Sequence, residues 1–260
     1  MKLLAIDTTG AYSSVALYDD GMIAQVINKD DYSHLQRLVP VIKLLLEEES
    51  TSFDAVDAIA VSRGPGSFTG IRIGMATAKG LAQIWNKPII EVPTLASFAY
   101  RDYEWLEQDE NSKEDDDILF CPIFDAKREQ IYGGAYKKEN DEPIVEDGAY
   151  DLSEFLTKLK DALEKHKEFG CVCFFGDGIS VYKEKLDAFD FPHIFAPEDD
   201  MYQTALGAAR LGAKLFNEGK LTDCYNAKPE YLRAAEAERK LAEKIKADSN
   251  KFGTSGANKF

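Results

Sequence analysis

Ser62-Arg63-Gly64-Pro65-Gly66-Ser67-Phe68-Thr69-Gly70-Ile71-Arg72-Ile73-Gly74-Met75-Ala76-Thr77-Ala78-Lys79-Gly80-Leu81-Ala82 follows a short apolar run at 55–61. That run reads as a strand buried on both faces of a parallel sheet. Gly64-Pro65-Gly66 turns the chain sharply, because glycine reaches positive φ and proline presets one dihedral. Ser67 or Thr69 can then cap a helix over about 69–85. Such a strand, turn and helix start aims backbone N–H groups at one point, which suits an anion. The order is neither GxGxxG nor GxxxxGKS/T, so a plain β–α connection stands beside the phosphate reading. The helix is more informative. Gly70, Gly74, Ala78 and Ala82 recur every fourth residue and leave one face nearly bare. An interior glycine costs a helix roughly 1 kcal/mol, so the stripe implies close approach of another helix, internal or on another chain.

Working outward, 2–9, 13–18 and 22–27 read as strands joined by turns at Gly10-Ala11 and Asp19-Asp20-Gly21, an antiparallel meander. Leu35, Leu38, Val39, Ile42, Leu45 and Leu46 share one face of a helix over 33–49. A strand at 88–92 follows, and Thr94 caps a helix expected over 95–106. The order βββ-α-β-α-β-α predicts a mixed sheet with helices on its faces. Between Asp102 and Asp117 acids crowd the chain with Lys113 as the only base, the mark of a solvated linker. Beyond it, 118–125 and 130–136 form a hairpin, followed by a helix at 152–166, a strand at 171–175, and helices at 181–187 and 204–217. The second half thus replays the first in outline. The expected fold class is α/β, with two duplicated halves whose mixed sheets are flanked by helices. Its parts are an N-terminal subdomain over 1–105, an acidic linker over 106–117, a C-terminal subdomain over 118–233, and a charged helix with a flexible tail over 234–260.

The chain has 260 residues, a net charge of −15 and a pI near 4.7. That balance argues against a stand-alone nucleic-acid binder, which needs a basic surface. Cys171-Val172-Cys173 is CxC without a complementary pair, so Cys121, Cys171, Cys173 and Cys224 are expected as free thiols. With no signal-peptide core or membrane span, a cytoplasmic protein is expected. His34, His166 and His193 are too far apart for an HxxxH metal site. Asp7-Thr8-Thr9 beside a glycine turn could hold Mg²⁺ and meet a phosphate, or form a polar hairpin rim. Gly176-Asp177-Gly178 could seat a nucleobase or ribose, or merely turn the chain. No catalytic set is readable from spacing.

Several segments occur in order along nearly the whole chain: Leu4-Ala5-Ile6-Asp7-Thr8-Thr9, Ser33-His34-Leu35-Gln36-Arg37-Leu38 and the long glycine-rich block from Gly64 to Gly74. Phe124-Asp125-Ala126-Lys127-Arg128 with Ile131-Tyr132, then Gly176-Asp177-Gly178, then Pro229-Glu230-Tyr231-Leu232-Arg233 complete the series. Together they resemble the TsaB (YeaZ) family. The resemblance implies the actin/hexokinase/Hsp70-like (ASKHA) fold of two duplicated α/β halves. It implies a role in threonylcarbamoyladenosine (t6A) synthesis at the adenosine after the anticodon, in tRNAs reading codons that begin with A. It further implies a non-catalytic paralogue that binds and activates the transferase TsaD, working with the ATPase TsaE. A homodimer is implied where TsaD is absent, with tRNA contacted only through the complex and no membrane involved. The chain would have no cofactor of its own, ATP and metal being used by the partner subunits.

Catalytic relatives carry HxxxH on the helix after the third strand, whereas here His34 is followed four residues on by Leu38. Active kinases of the superfamily use a second glycine-containing phosphate turn, where this chain has Ala126-Lys127-Arg128 after Asp125. The partner surface is therefore expected on the first helix at His34, Leu35, Leu38 and Ile42, and on the second at Gly70, Gly74, Ala78 and Ala82. Two such helices from each subunit would make a four-helix core. The rival reading is an enzyme: an ASKHA-fold small-molecule kinase or a glycoprotease-like protein.

Overall fold

The computed structural model describes residues 1–29, 34–106 and 117–233, with side chains from Arg37 onward in the first helix. Most of the expected acidic linker, and the charged helix and tail over 234–260, lie outside the described residues. Strands β1 (Lys2–Asp7), β2 (Ser13–Asp19) and β3 (Met22–Asn28) form the antiparallel meander, with Leu4 opposite Leu17 and Leu17 opposite Ala24. Helix α1 (His34–Glu48) leads to β4 (Ala58–Gly64), α2 (Phe68–Trp85) and β5 (Ile89–Pro93). β4 and β5 add in parallel, giving the order β3-β2-β1-β4-β5.

The second half repeats that plan strand for strand. β6 (Asp117–Asp125), β7 (Gln130–Lys137) and β8 (Pro143–Asp151) form the meander, and β9 (Phe169–Phe175) and β10 (His193–Phe195) add in parallel beside β6. Helix α3 (Leu152–Lys165) stands where α1 stands in the first half, and α4 (Gly178–Asp187) where α2 stands. The duplicated α/β architecture is thus present in full. β8 and β10 carry little sequence signal, since β8 is half exposed and β10 has three residues.

Alternation within β1 and β4 sorts the first sheet into two faces, as a strand's period of two requires. Leu4, Ile6, Val15, Ile59 and Val61 pack beneath α1 and α2. Leu3, Ala5, Ala16, Ala58 and Ala60 face the other way, toward α5 (Ala205–Asn217). α5 follows the second sheet in the chain but lies on the first. Small residues allow it to sit close, for a Cβ on Gly212 would stand 2.9 Å from that of Ala60. Among the described residues, no helix is long and apolar enough to cross a membrane.

The helix expected over 95–106 is corrected to a five-residue 3-10 turn, Ala96–Tyr100. All five of its residues are buried, so no polar face exists to support an amphipathic helix. Phe98 instead plugs the space between the sheets, its ring 5.4 Å from Phe175 and 5.9 Å from Phe124.

After α5 the chain returns along the first half as a strap. Thr222 exchanges backbone bonds with Ile89, and Glu230 N–H donates to Arg63 O at 2.8 Å. Arg72 Nε donates to the Tyr231 hydroxyl at 3.0 Å, with its guanidinium 3.7 Å from the Phe68 ring. Arg233 then donates to Ala126 O in the second half. Arg63 Nε lies 2.8 Å from a Glu230 carboxylate oxygen, an ion pair without an aligned hydrogen bond.

Asp147, on β8, accepts the Tyr136 hydroxyl in the same region. Burial pushes its carboxyl up to about 6, Glu230 and Glu146 adding to the rise while Tyr136 and Arg63 oppose it. A carboxyl raised in the folded state binds more protons there than when unfolded, so stability falls as pH climbs from about 4 to about 6. Asp147→Asn keeps an acceptor for Tyr136 and removes the titration. It should stabilise the protein at pH 7.5 by up to about 2–3 kcal/mol and have little effect at pH 4. Denaturant midpoints at the two pH values check this.

Candidate functional site

The glycine-rich turn works as a joint. Gly64 and Gly66 have φ of 121° and 153°, and a Cβ on Gly66 would stand 2.4 Å from Thr9 O. Ser67 N–H donates to that same Thr9 oxygen at 2.7 Å, so one of the donors that the sequence offers to an anion is already used. Ser67 Oγ caps α2 by accepting from Gly70 N–H at 3.3 Å.

The small-residue stripe of α2 faces inward. Thr8 Oγ1 donates to Gly70 O at 2.7 Å, and a Cβ on Gly70 would stand 1.8 Å from Thr8 O. A Cβ on Gly74 would stand 2.5 Å from Thr8 Oγ1. Ala78 and Ala82 are buried against the chain's own core, as are Leu38 and Ile42 of α1. The expected placement of partner contacts at Gly70, Gly74, Ala78, Ala82, Leu38 and Ile42 is therefore corrected: the close approach is intramolecular. The side chains of His34 and Leu35 lie outside the described ones.

The outer faces of the same two helices are a different surface. Val39 is 51% exposed, Leu44 47% and Ile84 76%, and Ala76 and Gly80 are also exposed. Nothing lies within 4 Å of a Cβ placed on Gly80.

A cleft of about 340 Å³ opens where the β1–β2 turn, the glycine-rich turn, the β6–β7 turn and the start of α4 converge. It brings Thr9 and Asp177 together, two of the six residues singled out from sequence. The other four serve packing. Asp7 is 1% exposed; its Oδ1 accepts Thr9 N–H and the Thr9 hydroxyl, both at 2.8 Å, and its Oδ2 accepts Ser62 Oγ at 2.5 Å. Burial raises the Asp7 carboxyl above its usual range, with these bonds opposing. Thr8 is buried under α2, and Cβ atoms on Gly176 and Gly178 would stand 2.2 and 2.9 Å from Ile123 O.

At the cleft's far wall, Asp125 is bound to Lys127, whose Nζ lies 2.6 Å from Oδ2 and whose N–H donates to Oδ1 at 2.9 Å. Lys127, Arg128 and Glu129 all have left-handed backbones, with φ of 62°, 59° and 61°. That turn folds the lysine back onto its own aspartate. Among the described residues, no group of three or more His, Cys, Asp or Glu side chains is arranged to hold a metal. Tyr132, quoted above only within the Ile131-Tyr132 motif, also lines the cleft, as do Tyr202 and Gln203, which were not singled out from sequence. Gln203 is a single polar residue in a loop, with no local pattern to mark it.

A family model described as TsaD, tRNA N6-adenosine threonylcarbamoyltransferase, matches residues 21–241. The tRNA threonylcarbamoyladenosine biosynthesis protein TsaB of Bacillus subtilis (strain 168) is 32% identical over 251 residues, covering 95% of this chain and 100% of the relative. The TsaB protein of Escherichia coli (strain K12) is 30% identical over 249 residues, covering 93% and 98% respectively. The solved structure of YeaZ from Pseudomonas aeruginosa superposes with a TM-score of 0.69 at 25% identity, over 89% of this chain and 99% of that one.

Proposed function

The chain belongs to the TsaB family of tRNA threonylcarbamoyladenosine biosynthesis proteins, and on that premise we propose that it is the non-catalytic subunit docking on a TsaD-type transferase. The observation that carries this reading is the exposure of large apolar side chains on both helices, Val39 and Leu44 on α1 and Ile84 on α2. A transferase-type family model covers most of this chain, which supports a partner of the same fold. Two chains that share a fold can pair the same two helices about a pseudo-twofold axis, burying like faces against each other. The same face would close a homodimer where the transferase is absent, so self-association and partner binding compete.

The cleft supports a non-catalytic role. The Asp7 carboxylate is saturated by its own chain, and the lysine beside Asp125 neutralises that acid, so neither is presented to a metal–triphosphate. ATP turnover belongs to the partners, a TsaE-type ATPase among them, and tRNA is reached through the complex. Depleting this protein in cells should lower t6A in bulk tRNA, measured by mass spectrometry of nucleoside digests. Undiminished t6A would remove the proposal. The purified chain with ATP and Mg²⁺ should show no turnover; hydrolysis without a partner would favour the kinase reading.

A further inference from the structure

Arg72, Ala76, Gly80 and Ile84 recur every fourth residue along α2, and all four are exposed. This outer stripe has a direction. A cation stands at its start, and Ile84 at its end, about 18 Å further along the axis.

The cation is held in place by the strap. Its guanidinium carbon lies 3.7 Å from the centre of the Phe68 ring and 5.7 Å from that of Tyr231, and the two rings are 5.0 Å apart. Arg72 Nε donates to the Tyr231 hydroxyl at 3.0 Å. A long, rotamer-rich side chain is thereby ordered before any partner arrives, which lowers what binding must spend on it. The N–H donors of its two Nη groups make no hydrogen bond or ion pair among the described residues. Lys79, on the same helix, makes the contrast: its Nζ is turned back onto the strap, donating to Ala227 O at 3.0 Å.

A planar fork with free donors matches a carboxylate through two parallel hydrogen bonds. Nucleic-acid phosphates offer similar oxygens, but binding them takes several cations together. The stripe has one, on a chain of charge −15. α2 contains no acidic residue, so α2 of a second copy laid against it would bring no carboxylate. Arginine and tyrosine anchors of this kind carry much of the energy of protein interfaces.

We propose that Arg72, set by Phe68 and Tyr231, grips an Asp or Glu side chain of the transferase-type partner and so fixes the direction in which the partner's helix lies along α2. This rests on the docking reading above and adds the chemistry that the partner must bring.

The test is binding of a TsaD-type partner to the intact protein at about 0.05 M and about 0.5 M salt. Arg72→Met keeps the apolar stem over Phe68 and removes the fork; it should bind roughly tenfold more weakly at low salt. Arg72→Lys keeps the charge without the fork and should still lose about threefold or more. Tyr231→Phe releases the tether and should weaken binding in the same direction by less than Arg72→Met. Salt should weaken the wild-type complex more than the Arg72→Met complex, a difference that a merely structural role would not produce. Wild-type affinity in Arg72→Met or Arg72→Lys, or an unaltered salt dependence in Arg72→Met, would overturn the proposal. So would loss of tRNA binding by Arg72→Met with partner capture intact, which would assign the fork to phosphate. Gly80→Arg with Ile84→Glu reads the docking face separately. Capture lost there but kept by Arg72→Met would sink the anchor and spare the face; capture kept by both would remove the docking reading itself.

Discussion

Gly70→Ala lowers stability by about 2–3 kcal/mol, and Gly80→Ala, on the same helix, raises it by about 0.5–1 kcal/mol. Propensity alone predicts a gain at both positions, since alanine is the better helix residue. Surroundings reverse the sign at one of them. At Gly70 the new methyl meets the backbone oxygen of Thr8 at 1.8 Å, and α2 must lift from β1 to admit it. The Thr8 hydroxyl then loses its bond to Gly70 O, worth a further ~1 kcal/mol or so. At Gly80 the methyl enters open space. Denaturant midpoints with unchanged slope separate the two; equal gains at both positions would show that the stripe does not carry a close approach.

Gly80→Arg combined with Ile84→Glu should abolish capture of a TsaD-type partner, weakening it roughly a hundredfold. Both positions are solvent-facing, so the double variant should be at least as stable as wild type, gaining up to about 1 kcal/mol from removal of the helical glycine. The effect is large because two bulky charged side chains carried into an apolar contact lose their water, and the weak i,i+4 pair they can form with each other does not offset that loss. Gly74→Leu makes the contrast. It too should lose the partner, but through unfolding, since its side chain would be driven into Thr8. Self-association should fall with partner capture in the double variant, read by sedimentation. Full capture by a folded double variant would move the docking surface elsewhere.

The fold was legible where periodicity is strong. The meander, the β4–α2 connection and the second hairpin all follow from alternating apolar residues and turn chemistry. The segment at Ala96–Tyr100 was not, because a stretch buried on every side has no period to read. The stripe on α2 was read correctly as a sign of close approach and wrongly as an external one. A bare face reveals that something comes near, and not whether it is Thr8, some 60 positions earlier, or another chain. The same holds for Asp7 and Thr8. Their chemistry suits a ligand, but whether a carboxylate or hydroxyl is free depends on who else reaches it, here Ser62 and Gly70. Thr9 and Asp177 were picked out because glycine turns flank them, whereas Gln203 becomes visible only once the fold sets it over Gly10.

α2 has an inner face of small residues sealed against its own sheet, and its outer face is the one proposed to meet a sister subunit. Thiol labelling of Ile84→Cys, with and without a TsaD-type partner, tests that division most directly. Cys121, Cys171 and Cys173 are buried, which leaves Cys224 as the main background among native thiols. The introduced thiol should react fast in the free protein and about tenfold or more slowly in the complex. An unchanged rate at position 84 in a complex shown to be intact would contradict the account.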